Sequence, residues 1–261
     1  MSLIPQALIL RGPGTNCDQE TSWALELAGS GFTSRHINRL IENPSLMHDF
    51  QMLVLPGGFT YGDDISAGAV MALEIREKLG SDLKTFIKAG KLVVGICNGF
   101  QILIKSGFLP GNDFAQKTTL FSNDSAKYEC RWIYLKKNPK NNSPFLAKLP
   151  EIFHCPVAHA EGKFIVSNKK ILDSLSKNNQ VAFQYVDAEG NPGEYPVNPN
   201  GSIDGIAGIT DPTGRVFGLM PHPERNIFKS QHPGFRRGNT PGDGAGLRFF
   251  EGAVEYIKKE L

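Results

Sequence analysis

The stretch that most restricts what this chain can fold into is Leu92 to Gln101, LVVGICNGFQ. Four of its first five residues are apolar and β-branched residues are prominent, the composition of a strand buried on both faces. Gly95, Cys97 and Gly99 alternate through the stretch, and Phe100 to Ile104 open a helical pattern. A buried strand that turns into a helix through Gly-x-Cys-x-Gly has the form of a nucleophile elbow with sulfur in place of oxygen. The glycines remove β-carbons on either side of a turn that would otherwise clash. The thiol falls at a helix N-terminus, where unpaired N–H groups and about half a unit of positive charge favour thiolate. A buried structural cysteine at a strand end is the plain alternative, because free cysteines are often buried. The two glycines and the strand-to-helix switch together favour chemistry.

The rest of the first half repeats the strand-then-helix rhythm. Ala7 to Leu10 is a short apolar strand ending in RGPGTNCD, where Gly12, Pro13 and Gly14 force a turn. Asn16 or Asp18 can cap the following helix, whose apolar face is read from Trp23, Leu25 and Leu27, with Gly29 as its stop. Thr33 to Ile37 and Met52 to Leu55 are further strands, the second running into PGGFTYGDD. Ala69 to Ile87 reads as a helix interrupted near Gly80. This alternation implies right-handed crossovers and an α/β, doubly wound, mostly parallel sheet flanked by helices. Ligands of such sheets sit beyond the C-terminal strand ends. The loops after Leu10, Leu55 and Ile96 therefore share one rim.

After Thr118 the pattern changes to β-favouring segments: Thr118 to Lys136, Val157 to Val166, Val181 to Val186, Ile203 to Ile209 and Val216 to Met220. They are expected as antiparallel additions to the same sheet, so that residues 1–261 form one domain. Gly246 to Lys259 is a C-terminal helix with Lys258 and Lys259 matching its dipole.

The strand at Val216 to Met220 leads into Pro221-His222-Pro223-Glu224. The prolines hold the backbone extended, so His222 and Glu224, two apart, point the same way. The carboxylate can then hold one ring nitrogen while the other faces a thiol, the logic of nucleophile, base and orienter. A strand-terminal His in a surface ion pair is the alternative, and the Cys elbow elsewhere in the chain weighs against it. An H-x-E zinc site needs a paired Cys motif, which is absent, so no metal is expected. Gly57 and Gly58 end another strand on the same rim. Their backbone N–H groups, with that of Asn98, are candidates for an oxyanion hole; a simple tight turn is the weaker reading.

Composition closes off other classes. A net charge of +2 gives no reason to expect nucleic acid or an anionic membrane surface. No apolar run approaches the roughly 20 residues of a membrane helix, and the first ten residues lack a signal-peptide pattern. Cys17, Cys97, Cys130 and Cys155 lie far apart without a Cys-x-x-Cys pair, which points to a reduced, cytoplasmic protein.

GICNGFQ, PGGFTYGD and MPHPER together resemble the class I, Cys-His-Glu triad glutamine amidotransferases. RGPGTNCD, HAEGKF at His159 to Phe164, and YPVNPNGSIDGIAGITDPTGRVFGLMPHPER are similar, more narrowly, to the glutaminases of phosphoribosylformylglycinamidine synthase. The similarity runs from about Ala7 to Arg225 in separate blocks. It implies the flavodoxin-like fold of that class, and the chain's own start and length suggest the free-standing small subunit rather than the C-terminal domain of a large single-chain form. It further implies that Cys97 attacks the carboxamide of glutamine, His222 moves the protons, and Glu224 orients His222. Amides near Gly57 or Gly58, with Asn98, would hold the oxyanion, and Gln101 would contact substrate. Ammonia would pass to a synthetase (large) subunit, with or without a small accessory subunit. That partner would use ATP and Mg to convert formylglycinamide ribonucleotide to the amidine; no cofactor is expected in this chain, which has no Gly-x-x-x-x-Gly-Lys-Ser/Thr loop.

Three other readings compete. A γ-glutamyl hydrolase or a cysteine peptidase on the same elbow would need no partner. A non-catalytic assembly subunit would not need the intact Cys97, His222 and Glu224. The elbow also predicts that Cys97 reacts faster with thiol reagents than the other three cysteines do.

Overall fold

The computed structural model describes residues 4–238 and 244–261. The first half runs β1 (Gln6–Arg11), α1 (Asp18–Leu27), β2 (Gly31–His36), α2 (Ile37–Glu42), β3 (Met52–Leu55), α3 (Ala69–Glu74), α4 (Gly80–Lys88), β4 (Leu92–Ile96) and α5 (Asn98–Lys105). The second half runs β5 (Thr118–Phe121), β6 (Glu129–Lys137), β7 (Ile152–His159), β8 (Lys163–Val166), α6 (Lys169–Lys177), β9 (Val181–Val186), β10 (Ile206–Thr210), β11 (Val216–Leu219) and α7 (Ala245–Glu260).

Among the described residues, nine strands form one sheet in the order β2-β1-β3-β4-β11-β10-β9-β6-β7. β2, β1, β3, β4 and β11 are mutually parallel, in the 2-1-3-4-5 order of a flavodoxin-like sheet. β10, β9, β6 and β7 continue it with antiparallel pairings. The step from β1 out to β2 and the opposite step from β3 through β4 to β11 put their crossover helices on opposite faces. That accounts for the uninterrupted burial of β3, β4 and β11, which are covered on both sides. Phe249 of α7 packs on Phe217 of β11 with ring centroids 5.3 Å apart and nearly perpendicular planes. Phe100 of α5 stacks on Phe164.

Several sequence-based expectations need correction. β5 and β8 pair with each other in a separate two-stranded sheet and do not join the main one. The stretch Val157 to Val166 is not one strand but two, β7 and β8, broken at Gly162, where a β-carbon would collide with the His159 ring. The N-cap of α1 is Cys17, with no side-chain capping bond from it, and neither Asn16 nor Asp18 holds that position. The buried face of α1 is Thr21, Ala24 and Leu25, whereas Trp23 and Leu27 are exposed. The interruption expected near Gly80 is present: a π-helical turn at Ile75–Leu79 separates α3 from α4, and Leu79 leaves helical geometry at φ −122° and ψ 0°. Gly80 is there because Phe114 packs where its β-carbon would be. Helices α2 and α6 have no clear counterpart in the sequence pattern. In α6 the side chain of Asn168 accepts from the Ile171 N–H, and Ile171, Leu172 and Leu175 form a short apolar stripe on an otherwise polar segment.

Candidate active site

Leu55 of β3, Ile96 of β4 and Leu219 of β11 end side by side, since Leu55 is in register with Gly95 and Leu219 with Ile96. Each strand delivers part of the site to one rim. Cys97 follows β4 with φ 53° and ψ −106°, a conformation that costs a non-glycine residue about 1–3 kcal/mol and clusters at functional sites. Its N–H donates to Leu219 O at 2.8 Å, and its carbonyl accepts from Phe100 and Gln101 as α5 begins. Gly95 and Gly99 make the turn possible. A β-carbon on Gly95 would fall on the Gly99 carbonyl, and one on Gly99 would fall on the Leu55 carbonyl. The Cys97 thiol lies 3.6 Å from Ala158 O, at the end of β7.

His222 lies three residues beyond β11. Its N–H donates to Pro156 O at 2.9 Å, and a 3-10 turn at Pro223–Arg225 brings Glu224 back toward it. His222 Nδ1 and Glu224 Oε1 are 2.6 Å apart, and both residues are buried. His222 Nε2 and Glu224 Oε2 are buried with no hydrogen-bond partner among the described residues. Burial opposes charge on the His222 ring. Glu224 and the Cys97 and Cys17 thiols outweigh it and hold the imidazole pKa well above its ordinary value. The pair can therefore take up a proton and keep it until a leaving group needs it.

Gly58 adopts φ +150° and packs so tightly on Gly14 and Thr15 that a β-carbon would not fit. The carbonyl of Gly57 accepts from Asn16 and Cys17, and Phe59 N donates to Gly14 O. The N–H groups of Gly58 and Asn98 donate to nothing among the described residues, as an oxyanion hole requires. The Asn98 side chain is fully engaged. Its oxygen accepts from Thr60 N and Thr60 Oγ1, and its nitrogen donates to Asp63 and to Gln101 Oε1. Gln101 sits one turn from Cys97, buried, with its own nitrogen on Glu161 O at 2.7 Å. Both ends of its amide are thus held by protein.

The sequence leaves the place of HAEGKF open; the contacts of Ala158 with Cys97 and of Glu161 with Gln101 put it opposite the elbow. His159 Nδ1 is 3.1 Å from Asn123 Oδ1, and Asn200 Nδ2 donates to Gly162 O, so the NPNGS stretch clamps this wall. The Glu161 carboxylate accepts from Ala67 N, and Lys105 bonds to Ala67 O, tying the loop after Tyr61 to the same wall. Cys17 is the site residue that sequence reasoning misses. Cys17 Sγ, a His222 ring nitrogen and a Glu224 oxygen lie within 4.8 Å of one another. The set has the donor chemistry of a soft-metal site, but its charges work against one. Arg225 Nη2 donates to the Cys17 thiol at 2.9 Å, and Glu224 Oε1 is taken by His222.

The comparisons with known proteins agree with this geometry. Residues 4–257 match the model of the CobB/CobQ-like glutamine amidotransferase domain, so fold, site and match together define a glutamine amidotransferase. The phosphoribosylformylglycinamidine synthase subunit PurQ of Dehalococcoides mccartyi is 47% identical over 97% of this chain and 98% of its own length. The corresponding PurQ of Methanococcus maripaludis is 40% identical over 99% of this chain and 100% of its own length. The chain belongs to the family of phosphoribosylformylglycinamidine synthase subunit PurQ. A chain in the structure of PurLQS from Thermotoga maritima superposes with a TM-score of 0.74 at 31% identity, covering 98% of this chain and all of that one. No helix among the described residues is long and apolar enough to cross a membrane.

Proposed function

We propose that this chain is the glutaminase subunit of a phosphoribosylformylglycinamidine synthase, with residues 1–261 as one type 1 amidotransferase domain acting in the cytoplasm. The observation that carries the reading is the buried His222–Glu224 pair, which β11 brings to the rim where its parallel neighbour β4 presents Cys97. Cys97 Sγ attacks the carboxamide carbon of glutamine while His222 Nε2 takes the thiol proton. The oxyanion forms against the N–H groups of Gly58, or Gly57, and Asn98. The tetrahedral intermediate collapses as His222 returns the proton to departing ammonia, leaving a γ-glutamyl thioester. His222 then activates water, and glutamate is released. Glu224 fixes the ring and balances its charge throughout. Gln101 shapes the substrate side of the elbow through Asn98 and Glu161.

Ammonia from this site serves a synthetase partner, a reading supported by the PurLQS assembly in which a similar chain is found. ATP and Mg belong to that partner, which replaces the formyl oxygen of formylglycinamide ribonucleotide by nitrogen; this chain needs neither cofactor nor metal. The test is glutamate release from glutamine, by the chain alone and then with the synthetase, ATP and formylglycinamide ribonucleotide. Little release alone and a large rise with the full set is expected. Full release alone, unchanged by the partner, would move the reading to an independent γ-glutamyl hydrolase.

A further inference from the structure

The His–Glu pair has a second thiol beside it that the mechanism above does not use. Cys17 is the N-cap residue of α1, yet its side chain makes no capping bond. It points instead into the site, where it is almost completely buried, with Sγ within 4.8 Å of both a His222 nitrogen and a Glu224 oxygen. Its own S–H donates to Asn16 Oδ1 at 3.2 Å, and three further contacts fix it there. Cys17 N donates to Gly57 O at 3.1 Å. Arg225 Nη2 donates to its sulfur at 2.9 Å, and Arg225 Nε is held in turn by Glu20 Oε1 at 3.2 Å. Gly57 completes the fit: a β-carbon there would come to 2.9 Å from Cys17 Sγ and 3.0 Å from His222 Cε1. The backbone has been thinned to glycine where the thiol and the ring edge meet.

From this we infer that Cys17 is a positioning residue for His222: held by Arg225 and Gly57, its thiol seals the edge of the His222–Glu224 hydrogen bond and keeps the ring aimed at Cys97. A thiol suits the place better than a hydroxyl. Glu224 Oε2 is a buried acceptor with no partner among the described residues. A strong O–H donor beside it would compete for the carboxylate, whereas S–H is a weak donor. The charged and titratable groups facing His222 are Glu224, Cys97 and Cys17, with Cys155 of β7 against its backbone N–H and Tyr128 near enough to feel its charge. Arg225 reaches it through the Cys17 thiol, and His159 lies close enough to feel its charge.

The proposal rests on the glutaminase reading and is tested in the assembled complex with synthetase, ATP and formylglycinamide ribonucleotide. Cys17→Ala and Cys17→Ser are compared with wild type for kcat, KM for glutamine, and the pH profile of kcat/KM. Both variants are expected to lose up to about a hundredfold in kcat, the scale of a group misplaced by about 1 Å, with KM unchanged. The alkaline limb of the profile should move to lower pH. Thermal melting of each variant separates this from simple loss of folded protein. If Cys17→Ala does not fold, the nearly isosteric Cys17→Ser decides. Wild-type kcat and an unmoved alkaline limb in the folded variants would overturn the proposal while leaving the glutaminase reading intact. A wild-type complex that releases no glutamate would overturn that reading first, and this proposal with it.

Discussion

Gly99 lies directly against Leu55: a β-carbon on Gly99 would occupy the position of the Leu55 carbonyl oxygen. The obstacle is backbone in the middle of the sheet, so nothing nearby can move aside. Gly99→Ala should therefore cost at least about 3 kcal/mol, the upper end of overpacking penalties, and abolish glutamine use by distorting the Cys97 turn. Gly238 provides the contrast. It has φ +71°, but a β-carbon there would meet no atom of the described residues within 4 Å, so Gly238→Ala should cost only about 1 kcal/mol of left-handed strain. Melting curves of the two variants measure the difference. Equal shifts would mean that the close approach at the elbow is not what selects glycine there.

Glu224 and His222 share a 2.6 Å contact with no solvent access. Glu224→Gln keeps the shape, removes the counter-charge, and favours the wrong ring tautomer. By analogy with other nucleophile–base–orienter sites, kcat should fall about 10²- to 10⁴-fold with little change in KM. The pH behaviour follows from the raised His222 pKa. In the proposed mechanism the protonated ring is the form that gives a proton to ammonia, so activity should be lost as pH rises through that raised value. Stability has the same sign: the contribution is complete below the ordinary imidazole range and disappears as pH rises through the folded-state value. In Glu224→Gln the alkaline limb should shift to lower pH, which steady-state rates across pH would reveal.

Thiol labelling needs a more specific reagent than the sequence alone implies. Cys130 is exposed, whereas Cys17, Cys97 and Cys155 are buried. Maleimides should therefore modify Cys130 first, and their rates do not report on the elbow. A glutamine analogue carrying an electrophile in place of the carboxamide should instead modify Cys97 alone. Peptide mapping would locate the adduct. An adduct on Cys17 would show that the thiol nearest the His–Glu pair is the one that attacks.

The parts of this molecule that are legible in its sequence are those fixed by neighbours along the chain. Leu92 to Ile96 is a buried strand because of its own residues, and Gly95 and Gly99 answer to a turn within five positions of each other. His222 and Glu224 are two residues apart and meet through one short turn. What the sequence hides depends on distant segments. Ala158 faces Cys97 across 61 residues and Arg225 reaches Cys17 across 208. No local pattern marks either contact, because β7 is the far edge strand of the sheet, separated from β4 by four other strands. In the sequence Cys17 is simply part of a turn before a helix. Its helix-start position is real, but the side chain serves another part of the fold. Helix α6 is hidden for a different reason, since its three apolar residues stand among serines, an aspartate and flanking asparagines whose propensities favour turns.

His159 should make the protein acid-sensitive. It is buried behind the catalytic wall, and burial, with the charge of His222 adding to it, lowers its pKa from 6.5 to about 3. A histidine kept neutral in the fold but free to protonate when unfolded stabilises the folded state fully above about pH 6.5. That contribution is lost as pH falls from there toward 3, at about 1.4 kcal/mol per pH unit for one proton. His154 is also depressed, to about 4, by burial and by its neighbour His232, so total stability alone does not isolate His159. The comparison with His159→Gln does. The amide can still meet Asn123 and Asn200 but takes up no proton. Denaturant unfolding at pH 7, 6 and 5 should show the wild type losing about 1.4 kcal/mol per unit more than the variant below pH 6. Parallel loss in both proteins would mean that His159 is hydrated or already charged in the folded state, and that the wall opposite Cys97 is more open than its hydrogen bonds imply.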